Sequence, residues 1–165
     1  MSKLTECVKR MKKTNAARIL DRFKINYELI EYKVDENDLS AVHVAENAGL
    51  PIENVYKTLV LRGDKSGIFV CIVPGGKEID LKKAAKTSLN KKAEMIKMNE
   101  LEPLTGYIRG GCSPLGMKKN YPIYIDQSAM NKPFIYISAG VRGMQIKIAP
   151  SDLVFVTKAV ISNLT

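Results

Sequence analysis

Two strand-forming runs set the frame of this chain. Val55 to Leu61 and Ile68 to Val73 flank a turn at Arg62–Gly67 that contains Gly63-Asp64, and Pro74-Gly75-Gly76 breaks the second run. Two such runs joined by a short Gly/Asp segment read as an antiparallel hairpin.

The flanking segments mix helix and strand signals. Thr14 is placed to cap a helix through Phe23, with apolar residues at Ala16, Ile19, Leu20 and Phe23. Tyr27 to Val34 reads as a strand. Ser40 caps a helix through Asn47 that Gly49 ends, with Pro51 beyond it. Asp80 caps a helix over Leu81 to Ser88 with a lysine-rich outer face. A short strand at Lys92–Met98 and a short helix at Asn99–Leu104 precede a glycine-rich loop, Gly106 to Gly116. Strands follow at Pro122–Ile125, Phe134–Ile137 and Gln145–Ile148, the last two separated by a turn at Ser138–Gly143. Pro150 opens a final helix with Ser151 and Asp152 in its first turn, and Val160-Ile161 reads as an edge strand. Connections are short and no regular βαβ repeat is visible. The expectation is a mixed α/β (α+β) fold: one domain over residues 1–165, with a mixed, partly closed sheet or barrel surrounded by helices.

The 165 residues suit one domain with a sizeable core. No apolar run approaches the ~20 residues that span a bilayer. The basic stretch Met1–Lys13 is followed by no long apolar segment, unlike a secretory signal. A soluble cytoplasmic protein with no membrane partner is expected. Cys7, Cys71 and Cys112 are widely spaced without a CxxC pair, and His43 is the single histidine. That pattern argues against a disulfide framework and a metal site, and no cofactor is expected. The net charge of +9 attracts polyanions. Its distribution matters more. Lys77, Lys82, Lys83, Lys86, Lys91, Lys92 and Lys97 crowd one stretch, and Lys118 and Lys119 follow the glycine loop. Clustered cations are what a nucleic-acid binder needs; a merely solvated lysine-rich surface is the plain alternative.

Three segments carry chemistry. Lys57 shares strand parity with Val55, Leu59 and Leu61 and so falls among core-facing residues. Such a lysine must reach solvent, a counter-ion or a ligand; it either snorkels at a strand end or serves a site. Gly110-Gly111-Cys112-Ser113-Pro114-Leu115-Gly116 offers flexible backbone whose N–H groups can form an anion nest or oxyanion hole; an ordinary turn is the alternative. Ser138-Ala139-Gly140-Val141-Arg142-Gly143 combines a hydroxyl, backbone freedom and a guanidinium suited to phosphate, or is a surface hairpin turn. A nucleophilic Cys112 would need an activating base or cation. His43, between Val42 and Val44, reads as structural or surface-exposed.

In order and spacing, Val55 to Val60, Asp80 to Lys86, Thr105 to Lys119, Ile125-Asp126 and Ile135 to Gly143 resemble the YbaK/EbsC family of Cys-tRNA(Pro) deacylases. That family shares its fold with the editing domain of bacterial prolyl-tRNA synthetases. The resemblance runs from about Thr14 to Ile161. It implies a trans-editing hydrolase that deacylates mischarged aminoacyl-tRNA, Cys-tRNA(Pro) foremost, in which the substrate's own thiol attacks the ester. By the same resemblance, Lys57, Gly110, Gly111 and Cys112 are the catalytic positions, with main-chain N–H groups of Gly110 to Cys112 holding the oxyanion. Tyr32, Thr58, Ser113, Pro114, Ser138, Gly140, Arg142 and Gln145 contact substrate. Lys82, Lys83, Lys86, Lys118 and Lys119 meet the acceptor stem of tRNA, and prolyl-tRNA synthetase is an expected partner. Ala139, Gln145 and Cys112 depart from the family's usual residues, which bears on substrate choice. A water-using Ala-tRNA(Pro) deacylase and a non-catalytic tRNA- or nucleotide-binding module are the alternatives.

Overall fold

A computed structural model describes residues 13–165; Cys7 and all but the last residue of the basic N-terminal stretch lie outside them. Helix α1 (Asn15–Arg22) is capped by Thr14, whose side chain accepts from the Ala17 N–H. It leads into strand β1 (Tyr27–Glu31). Helix α2 (Ala41–Ala48) starts at Ser40, whose Oγ accepts from His43 N–H, and ends where Gly49 turns left-handed.

The hairpin forms as expected. Strands β2 (Tyr56–Gly63) and β3 (Gly67–Pro74) pair antiparallel from Tyr56↔Pro74 to Gly63↔Gly67. Helix α3 (Leu81–Thr87) is capped by Asp80, which accepts from the N–H groups of Lys82 and Lys83. Strand β4 is only Ala93–Met95, and a 3-10 turn at Met98–Glu100 precedes helix α4 (Leu101–Thr105). Strands β5 (Ile123–Asp126), β6 (Ile135–Ser138) and β7 (Met144–Ile148) follow. Helix α5 (Pro150–Thr157) and strand β8 (Val160–Ser162) complete the described elements.

The strands divide between two sheets. One has the order β1-β7-β6 and is antiparallel throughout. The other has the order β4-β2-β3-β5-β8 and is mixed, because β5 and β8 run parallel to β3 and to each other. The sheets do not close into a barrel. A single parallel bridge, Val55↔Tyr136, joins β6 to the residue just before β2.

Alternation along the hairpin explains the layers. Tyr56 and Ile72 face the three-stranded sheet and pack with Ile137, Ile146 and Leu20 in the main core. Leu61, Phe69, Cys71 and Val73 face the other way, onto Ala84 of α3 and Leu164. Asp126 is buried and fully engaged: its carboxylate accepts from Leu164 N–H at 2.8 Å and from Ser128 Oγ–H at 2.5 Å. Tyr56 Oη joins the same network through Ser128 at 2.8 Å. No described helix is long and apolar enough to cross a membrane.

Candidate active site

The site follows from how β2 is paired. Its β3 side is paired along the full length, but β4 covers only Leu61 to Gly63 on the other side. The last link on that side is the Ile96 N–H donated to the Val60 carbonyl. Main-chain groups alternate in direction along a strand, so those of Thr58 point the same way as those of Val60, to an edge that no strand covers. At the far end β2 is tied to β6 by the Val55↔Tyr136 bridge. Between these two ties the edge of β2 is open. The gap is a cleft of about 360 Å³.

Residues from distant parts of the chain meet in this cleft. Val55 to Val60 of β2 form one wall. Leu39, Ser40, Ala41 and Val44 supply the mouth of α2, and Met95 to Met98 with Leu101 an apolar and basic lip. Arg109, Gly110 and Cys112 come from the glycine loop, and Ser138 and Gln145 from the facing β6–β7 ladder. No carboxylate or imidazole lies among these residues. Among the described residues, no group of three His, Cys, Asp or Glu is arranged to hold a metal ion.

Lys57 lines the cleft half-buried, on the same face of β2 as Leu59 and the fully buried Leu61. Burial pulls its ammonium below the usual lysine range, with Glu78 opposing the shift. Among the described residues it has no ion-pair partner or side-chain hydrogen bond. It is a cation facing a cavity with no described carboxylate at ion-pair distance, the arrangement that favours an anionic or developing-negative ligand.

The two glycine turns are packed against each other, which fixes their shape. Gly110 sits at φ +84°, and a Cβ there would lie 3.3 Å from Leu39 Cδ2 and 3.4 Å from Arg142 Nε. A Cβ on Gly111 would lie 3.3 Å from the main chain of Val141 and Arg142. Arg142 clamps the contact by donating from Nε to the Arg109 carbonyl at 2.8 Å. Tyr107 adds a second clamp. Its ring packs beside Gly140, and its hydroxyl donates to the Leu115 carbonyl.

Several of the anticipated residues occupy other positions. The Gly111 N–H donates to the Ile108 carbonyl at 2.9 Å and so cannot turn to an oxyanion; of the proposed trio, Gly110 and Cys112 reach the cleft. Ser113 is fully buried with its Oγ accepting from Leu115 N–H, and Pro114 is buried beside it. Both shape the loop and neither lines the cleft. Tyr32 lies outside the cleft, its N–H donating to the Gly143 carbonyl. Gly140 and Arg142 stand behind the glycine loop, away from the cleft lining. Lys83 is tied to the chain itself, donating to the Thr165 carbonyl at 2.6 Å. Lys118 lies along Gly106, and neither it nor Lys119 borders the cleft.

Cys112 lines the cleft and is partly buried, packed with Val60, Val70 and Leu101. Burial pushes its thiol up to about 12, so it holds its proton and is a poor nucleophile. His43 binds Asp35 at 2.9 Å and faces Asp38 and Glu46, outside the cleft.

Two polar atoms carry a further signal. Among the described residues, Thr58 Oγ1 and Gln145 Oε1 are buried side-chain oxygens without any partner, and both residues line the cleft. Buried acceptors left unpaired cost about 1–3 kcal/mol each. Both oxygens are placed to accept hydrogen bonds from whatever occupies the cavity they share.

Sequence reasoning did not anticipate Leu39, Ser40, Ala41, the Met95–Met98 lip, Arg109 or the Tyr107 clamp. The clustered exposed Met95 and Met98 beside Lys97 were the available signal.

Comparison with known proteins identifies the family. Residues 35–156 match the family model described as an aminoacyl-tRNA editing domain. EbsC of Enterococcus faecalis (strain ATCC 700802 / V583), provisionally named a Cys-tRNA(Pro)/Cys-tRNA(Cys) deacylase, is 46% identical over 157 residues, 95% of this chain and 96% of the relative. The uncharacterized protein YwhH of Bacillus subtilis (strain 168) is 29% identical over 126 residues, 74% of this chain and 80% of that one. A solved structure described provisionally as a trans-editing enzyme for prolyl tRNA synthetase superposes with a TM-score of 0.78 at 23% identity, covering 93% of this chain and 99% of that one. The hypothetical protein APE2540 superposes with a TM-score of 0.83 at 19% identity, over 92% and 99%. These two are likenesses of fold.

Proposed function

This chain belongs to the aminoacyl-tRNA editing family, and from that premise we propose that it is a trans-editing deacylase that clears cysteine from mischarged tRNA(Pro). The observation that carries the reading is the convergence of Lys57, Gly110, Cys112 and Ser138 on one cleft that also holds two orphaned polar atoms.

The chemistry suits what the cleft contains and what it does not. Among the described residues no carboxylate or imidazole lines the cleft to activate water, and burial favours a protonated Cys112 thiol. This fits the mechanism that the family resemblance implies, in which the attacking group is the substrate's own thiol. Its sulfur adds to the ester carbonyl carbon, and charge builds on the carbonyl oxygen. The carbon–oxygen bond to the terminal ribose breaks as the tetrahedral centre collapses. The thiol proton ends on the ribose oxygen, so the products are cysteine thiolactone and free tRNA; water later opens the thiolactone.

The protein supplies position and field. Main-chain N–H groups of Gly110 and Cys112 face the developing oxyanion. Lys57 adds positive potential, and its low-dielectric setting strengthens the effect. Ser138, Thr58 and Gln145 orient the aminoacyl group. The apolar lip of Met95, Ile96, Met98 and Leu101 seats the terminal base. Prolyl-tRNA synthetase is the partner that would release such a substrate.

The test is deacylation of Cys-tRNA(Pro), Ser-tRNA(Pro) and Ala-tRNA(Pro) side by side. Rapid loss of the cysteinyl ester alone supports thiol-assisted cleavage. Loss of the alanyl ester alone overturns it in favour of water attack, and binding without loss of any ester leaves a tRNA-binding module.

A further inference from the structure

We propose that the segment Lys91–Met98, with Lys82 beside it, is the track along which the RNA backbone leaves the cleft. The inference rests on the deacylase reading for what occupies the cleft, and adds where the rest of the polynucleotide runs.

A second cavity lies outside the active site, lined by Arg62, Gly63, Asp64, Leu81, Lys82, Ala85 and Lys91 to Glu94. The next residues in the chain, Met95 to Met98, are the lip of the active-site cleft. One extended stretch centred on β4 therefore borders both cavities. From residue 91 to residue 97 it spans roughly 20 Å at ~3.3 Å per residue. That matches several nucleotides along one RNA strand.

The cations on this stretch are unpaired rather than unopposed. Lys82, Lys91, Lys92 and Lys97 are all exposed, and none has an ion-pair partner among the described residues. The nearby acids are already in use. Asp64 accepts from the main-chain N–H groups of Lys91 and Lys92 at 2.9 and 3.1 Å. Glu100 accepts from Arg62 at 2.7 Å and from the Lys97 N–H at 2.9 Å. Glu94 sits across the ladder from Arg62, whose charge it faces. These acids keep their charge, but among the described residues none comes within ion-pair distance of the four ammonium groups, which stay available to a polyanion. A row of unpaired cations leading out of a catalytic cleft is the footprint of backbone phosphates rather than of base recognition. Lys83 and the Lys118–Lys119 pair are not part of it.

The test uses the full chain and uncharged tRNA. Lys91→Gln with Lys92→Gln removes two charges and leaves the Asp64 bonds, which go to main-chain N–H. Affinity is read by titration across a salt series. The double variant should bind about fivefold more weakly at low salt, with a log–log salt slope shallower by roughly 1.5. Lys82→Glu, a separate exposed position, should weaken binding in the same direction. Cleavage of a cysteinyl-adenosine ester, too short to reach the track, should stay within about twofold of wild type. Lys24→Gln with Lys158→Gln removes two equally exposed charges elsewhere and should leave tRNA affinity within twofold. Unchanged tRNA binding in both track variants, or an equal loss in the Lys24/Lys158 control, overturns the track. Equal loss on tRNA and the short ester also overturns it. Because binding is read without the ester, track-dependent binding by a chain that cleaves nothing would overturn the reaction and leave the track standing.

Discussion

Arg142 Nε lies 2.8 Å from the carbonyl of Arg109, so the turn after β6 grips the loop that presents Gly110. The guanidinium suited to a phosphate has its Nε–H engaged by the protein's own main chain. Arg142→Ala should lower kcat/KM about tenfold by loosening that loop, within the range that small displacements cost. Arg142→Lys should fail to restore it, since an ammonium lacks the planar fork. Steady-state kinetics on cysteinyl-adenosine checks this: a fall in kcat with KM steady marks the positioning role, and an unchanged kcat removes it.

Thr58→Val should make the protein more stable and less active. The orphaned Oγ1 costs the free protein about 1–3 kcal/mol, and the isosteric methyl removes that cost. Chemical denaturation should show a higher midpoint, while KM for the ester rises. Gln145→Met should behave alike. A stability loss in both would mean that the two oxygens are satisfied in solution.

Lys57→Met should reduce kcat/KM by about a hundredfold, as loss of one electrostatic contact to a developing oxyanion does. Stability should move the other way. The folded-state pKa of Lys57 lies below its unfolded value, so the unfolded chain holds the proton more tightly and the charge disfavours folding at neutral pH. The thermal midpoint at pH 7 should therefore hold or rise, and wild-type stability should gain as pH climbs through the folded pKa. A drop in midpoint would show that Lys57 has a structural partner.

Cys112→Ala should keep kcat/KM within about threefold, against the several orders lost with a true nucleophile. Iodoacetamide should alkylate Cys112 slowly at neutral pH, because the thiol is pushed up to about 12. Fast alkylation together with a dead alanine variant would restore a covalent role.

His43 gives a pH signature away from the cleft. Partial burial lowers its pKa, but the Asp35 hydrogen bond and the charges of Asp38 and Asp35 outweigh it, and the folded value is raised. Its stabilising effect is fully present below about 6.5 and fades as pH rises through the folded pKa. His43→Gln should flatten that part of the stability profile without changing cysteinyl-adenosine cleavage at pH 8; an unaltered profile would mean that the carboxylates do not hold the ring.

Local signals made much of the fold readable. Thr14, Ser40, Gly49, Asp80 and Pro150 each mark a helix end with a specific main-chain partner or backbone angle, and each end falls within a residue or two of expectation. Parity placed Lys57 among apolar neighbours, and the glycine turns announced themselves by composition. What could not be read was non-local. Strand alternation tells which face a residue takes, but not that β4 stops at Met95 and leaves half an edge of β2 uncovered. Ser113 and Arg142 have the right chemistry for a ligand. Only the folded chain reveals that Ser113 Oγ turns back onto its own loop and that Arg142 Nε–H is engaged by the facing turn.

The uncovered edge of β2 has an evolutionary consequence. The cleft it leaves is served by Lys57 and by main-chain N–H groups of tightly packed glycine turns, positions where most replacements would cost the proposed reaction. Thr58 and Gln145, which in the proposed deacylase would sense the acyl group, are ordinary side chains that one codon change can alter. Such a division lets a lineage retarget which misattached amino acid it clears while leaving the cleaving apparatus untouched.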